Sequence, residues 1–97
     1  MTDQAKLLTI VERPEAITAL ANLVREFHAN LTDIENSFKA GLYVDTEAYT
    51  EDHDDANDQH LIALIAYQAA LQLIKTSRIN ETQQHNLQVA LSMEGIL

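Results

Sequence analysis

The side chains best able to do chemistry crowd into one short run. Glu51 to His60 reads EDHDDANDQH, with Asp45 and Glu47 just before it and Tyr43 and Tyr49 flanking. Carboxylates and imidazoles so close together suggest metal ligation first. An EF-hand loop needs Gly at its sixth position and a bidentate Glu at its twelfth. Counting from Asp52 gives Asn57 and Ala63; counting from Asp54 gives Gln59 and Ile65. Neither start fits. Di-metal helical bundles use Glu-x-x-His pairs, and no Glu here has His three residues on. His53 and His60, seven residues apart, share a helical face, a weak ligand signal or a means of making partner binding pH-sensitive; they also suit half-buried helix positions. His28 and His85 stand alone and read as structural. No cofactor and no metal site are expected.

Other chemistries have less to work with. The chain has no Cys, so disulfide scaffolds, thiolate zinc sites and cysteine nucleophiles are excluded. Ser37, Ser77 and Ser92 lack a nucleophile-elbow context, and there is no Gly-rich phosphate loop or dinucleotide fingerprint. No carboxylate pair is singled out for acid–base work. A non-enzymatic protein is expected.

The elements that position these groups are helical. Ala, Leu, Gln and Glu are abundant, and two Gly and one Pro leave few breaks in 97 residues. At this length one domain, 1–97, is expected. Residues 3–11 suit a short helix using Leu7, Leu8, Ile10 and Val11. Pro14 fits a first helical turn, with Glu15 at the positive end of the dipole. Ile17, Leu20, Val24, Phe27, Leu31, Ile34 and Phe38 then recur at spacings of 3 and 4, an unbroken heptad. The pattern predicts a helix over about 14–40, roughly 40 Å long at 1.5 Å per residue, closed by Gly41. A capping-box spacing at Thr32 and Glu35 offers a competing break near Asn30.

Residues 42–44 form a short apolar connector. Residues 57–76 predict a second helix, apolar on more than one face and so buried on several sides, capped by Asn57 or Asp58. Asn80 and Gln83 have capping-box spacing for a last helix that turns Leu87, Ala90 and Leu91 inward, with Met93 a further inward candidate, and ends at Gly95. The fold class is all-α: a small bundle of three to four helices, the long heptad helix packed on the 57–76 helix. Whether 45–56 is helix or loop stays open.

Charge then locates the interesting surface. The chain has 15 acidic and 6 basic residues, a net charge of −9. Seven of the acids, Asp45, Glu47, Glu51, Asp52, Asp54, Asp55 and Asp58, fall within residues 45–58, and no Lys or Arg lies between Lys39 and Lys75. On a helix, Glu47, Glu51, Asp54 and Asp58 share one face. Each like-charged i,i+4 pair costs a few tenths of a kcal/mol, so stability alone does not explain the cluster. It reads as a solvated face, or as a surface that meets something cationic. The acidic balance argues against direct binding to nucleic acid or to anionic membranes, since both need a cationic face.

No window reaches the roughly 18–20 apolar residues of a membrane span. Residues 1–30 lack a basic start followed by an apolar run, so no signal peptide is expected and a cytoplasmic location is.

In charge distribution, though in no motif, this Cys-free helical chain resembles the nucleic-acid-mimic inhibitors encoded by phages, including anti-restriction and anti-CRISPR proteins. That resemblance implies a non-catalytic inhibitor or regulator, docking the 45–58 face into a basic, nucleic-acid-binding surface of a target protein. Asp45, Glu47, Glu51, Asp52, Asp54, Asp55 and Asp58 are the expected contacts, with Tyr49 or Tyr43 either serving as anchors or packing on the bundle. Two alternatives share the sequence: an immunity or antitoxin protein that neutralises a toxin, and a structural protein that dimerises through Ile17, Leu20, Val24, Phe27, Leu31, Ile34 and Phe38.

Overall fold

The computed structural model describes residues 3–97. Four helices follow one another: α1 (Asp3–Val11), α2 (Pro14–Lys39), α3 (Thr46–Thr76) and α4 (Glu81–Met93). Helices pack on helices throughout, with α2 on α3 and α3 on α4 as the main interfaces, making a small all-α bundle.

The heptad helix runs unbroken from Pro14 to Lys39, so the competing break near Asn30 does not occur. Its end is a Schellman turn. Gly41 takes a left-handed φ of 75°, the Gly41 N–H donates to Phe38, and the Leu42 N–H donates to Ser37. α4 begins with the expected capping box: Asn80 accepts from the Gln83 N–H at 2.8 Å, and the Gln83 side chain accepts from the Asn80 N–H at 2.9 Å. Leu87, Ala90 and Leu91 are buried, while Met93 is exposed.

The helix expected over 57–76 needs a correction. It starts at Thr46, and its N-cap is Asp45, not Asn57 or Asp58. The Asp45 carboxylate accepts from the Ala48 N–H at 2.7 Å, satisfying a donor that the first turn leaves free. The acidic run from Glu47 to Asp58 is therefore helical. The reason lies on the opposite side of α3, where Tyr49, His53, Ala56 and His60 recur at spacings of 4, 3 and 4. These aromatic and small residues form a seam against α2, and a count of aliphatic side chains overlooks it.

The core sits at one end of the molecule. Leu7 and Val11 of α1, Leu20 of α2, Leu73 of α3, and Leu87 and Leu91 of α4 are fully buried there. Ala63, Ala66, Ala69 and Ala70 let the other helices approach α3 closely, and all four have no exposed surface. Beyond this end only α2 and α3 continue. Past Leu23 on α2, and before Ala63 on α3, Ala56 is the one buried residue. The result is an elongated body, 50 × 23 × 21 Å, in which a two-helix arm projects from a four-helix base.

The heptad stripe of α2 serves this intramolecular seam. Leu20 is fully buried, and Ile17, Val24 and Phe27 pack against the core. Leu31 and Ile34 are half-buried in the arm, and Phe38 stacks on Tyr49. No helix among the described residues is long and apolar enough to cross a membrane.

Candidate functional site

The acidic run occupies the arm half of α3. Continuing down the same helix, Glu51, Asp55, Asp58, Ile62, Ala66, Ala69 and Leu73 form one stripe at spacings of 3 and 4. In the base, Ala66, Ala69 and Leu73 of this stripe are buried beneath neighbouring helices. In the arm no helix among the described residues covers it, and Glu51, Asp55 and Asp58 are exposed. The acids thus stand where a third helix would otherwise pack.

The seven carboxylates do not play one role. Asp45 is the helix cap described above. Asp52 accepts a hydrogen bond from the Tyr43 hydroxyl at 3.0 Å. Desolvation, this hydrogen bond and the nearby Asp52 charge hold the Tyr43 phenol above its ordinary value of 10.0. Glu47, Glu51, Asp54, Asp55 and Asp58 remain. All five are exposed, and none pairs with a cation among the described residues. Glu47, Glu51 and Asp54 border an open depression with Thr46 and Thr50.

The tyrosines pack within the arm, one of the two placements open to them in the sequence. Tyr49 is turned toward α2, where its ring stacks on Phe38 with centroids 4.0 Å apart and planes 20° from parallel. Tyr43 meets Tyr49 edge-on at 5.5 Å, and His53 lies against Tyr49 at 5.4 Å. Together they staple the tip of the arm shut, a structural task for both tyrosines. The outward positions of the connector belong to its aliphatic neighbours: Leu42 is 75% exposed and Val44 97% exposed. Reading 42–44 as a simple apolar connector missed this. No periodicity in the sequence marks it, because residues 41–45 turn and bend and form no regular element.

His28, His53 and His60 meet at the α2–α3 seam. His53 Nε2 lies 3.3 Å from Glu35 Oε2, the one ion-pairing contact among the described residues when His53 is protonated. Glu35 therefore looks across to α3, and Arg25 donates to Asn22 on its own helix. His60 packs on His28 with centroids 5.4 Å apart, so His28 is not the lone residue the sequence suggested.

The chain matches no protein-family model, no curated protein and no solved structure. Among the described residues no three His, Asp or Glu side chains converge as ligands for a metal ion.

Proposed function

We propose that this protein is a non-catalytic binding module whose acidic arm docks into a basic surface of a target protein. The observation that carries the reading is the set of five exposed, unpaired carboxylates, Glu47, Glu51, Asp54, Asp55 and Asp58, along one uncovered side of the arm. Neighbouring carboxylates on a helix repeat every 5–6 Å or so, close to the spacing of phosphates along a nucleic acid strand. A nucleic-acid-binding groove is the matching kind of surface, so the protein acts as an inhibitor or regulator in the manner of phage-encoded nucleic-acid mimics. Leu42 and Val44 supply the apolar contact at the tip, replacing the tyrosines in that role.

The physics sets the character of binding. Exposed charges are screened beyond roughly 8 Å at physiological ionic strength, so affinity falls with added salt. Charge steering raises the association rate more than it lengthens the complex's lifetime. The test is affinity capture from the native host with a salt titration, run beside a variant carrying Glu47→Lys, Glu51→Lys, Asp54→Lys and Asp58→Lys. The variant should keep its helical circular dichroism and lose the captured protein. A variant that retains the same protein at the same salt overturns the reading.

A further inference from the structure

The outer side of α3 carries a second heptad that the fold leaves uncovered. Asn57, Leu61, Leu64, Gln68, Leu71 and Lys75 follow spacings of 4, 3, 4, 3 and 4. Leu61 and Leu71 are each 44% exposed, Leu64 is half-buried, and none of the three belongs to the core cluster or packs against it. The sequence reading of this helix as apolar on several sides was right about the pattern. The other three helices cover only part of it. Three leucines, interrupted by Gln68, thus stand on the outer side of a helix whose arm half is acidic, and uncovered apolar side chains grouped on one helix face mark an interaction surface.

The ends of the stripe identify its occupant. At the arm end it runs out between Asp54 and Asp58; at the base end it finishes on Lys75. A parallel partner helix of the same sequence would set acids against acids. An antiparallel one sets Lys75 of each copy beside Asp54 and Asp58 of the other. Centred on the middle of the stripe, that register also places Leu61 opposite Leu71, Leu64 opposite Gln68 and Asn57 opposite Lys75, twice over. The face is self-complementary under a two-fold axis, the relation that a closed dimer requires.

We propose that two copies associate through the Asn57–Lys75 face of α3 in an antiparallel pair. Glu47 and Glu51 lie beyond the paired stretch, so the dimer carries one acidic arm tip at each end, while Asp54 and Asp58 answer Lys75 of the second copy and are shared with the docking surface proposed above. The pairing stands without that docking proposal.

Sedimentation and light scattering over a range of concentrations test it directly. The average mass should climb toward twice that of the monomer. Leu61→Asp with Leu71→Asp should weaken association about a hundredfold, because each substitution acts twice in a symmetric pair. Both positions are exposed, so the helical signal should persist. Since the chain has no native Cys, orientation can be read by disulfide trapping. Mixed Asn57→Cys and Lys75→Cys chains should cross-link to each other, and each alone should not. A monomeric mass at every concentration overturns the proposal, as does preferential self-linking of Asn57→Cys. Should Leu61→Asp/Leu71→Asp lose its helical signal, Lys75→Glu serves in its place: weakened association supports the pairing, and unchanged association overturns it.

Discussion

The Tyr43 hydroxyl donates to Asp52 across 3.0 Å, tying the connector after α2 to the second turn of α3. The bond spans nine residues and closes the tip of the arm over the Phe38–Tyr49 stack. It also uses one of the acids for structure, and so separates Asp52 from the carboxylates that remain free. Because the fold favours the neutral phenol, the contact's contribution is complete below pH 10 and is lost as pH rises through the raised value. Phenolate absorbance should locate that titration above 10, and Asp52→Asn, which removes the charge, should move it downward. An unchanged titration in that variant would show that the carboxylate does not set it.

Relief of charge crowding gives a second prediction. Glu51 has Glu47 four residues before it, with Asp54 and Asp55 three and four residues after. Glu51→Lys turns three repulsive neighbours into attractive ones. At a few tenths of a kcal/mol per pair, the gain is about 1 kcal/mol at low salt, shrinking as salt is added. Thermal or urea unfolding will read it. A variant that is stabilised and yet fails to retain the captured partner would show directly that the acids are kept at a cost to stability.

The two ends of the molecule should differ in local stability. Ala56 is the one buried residue of the arm, whereas Ala63, Ala66, Ala69, Ala70 and Leu73 are all buried in the base. Amides of residues 48–58 should therefore exchange with solvent through local opening, well before those of 63–73, which report global unfolding. Phe38→Ala should accelerate the first group and leave the second almost unchanged. Leu73→Ala, by contrast, should cost about 2–5 kcal/mol and affect the whole molecule.

Ser77 ends α3 in the left-handed region, with φ at 60°. A residue with a Cβ is strained there by about 1–2 kcal/mol, and glycine is not. Ser77→Gly should raise stability by about 0.5 kcal/mol, because the added freedom of glycine in the unfolded chain offsets part of the relief. Chemical denaturation should show a higher midpoint with an unchanged slope.

Reading the chain in advance succeeded where local rules act alone. Pro14, the heptad from Ile17 to Phe38, Gly41 and the Asn80–Gln83 box each fix an element boundary or face through backbone geometry or period. It stopped short at residues 45–56, because Tyr49, His53 and His60 hold that half of α3 against α2 and score poorly as hydrophobic residues. The acids of the candidate site were visible as composition. Their division into a cap, a tyrosine acceptor and five free groups was not, because it depends on which way the helix turns each one.

Residues 42–94 contain neither glycine nor proline, and α3 passes from arm to base without a break. The arm has no hinge. Its free carboxylates are therefore graduations on a fixed ruler, spaced by helical rise and not by the demands of whatever they touch. A flexible acidic tail adapts to almost any cluster of bases. This one favours surfaces whose positive charges already stand at the same intervals, so selectivity can be built into the distances between its charges as well as their number.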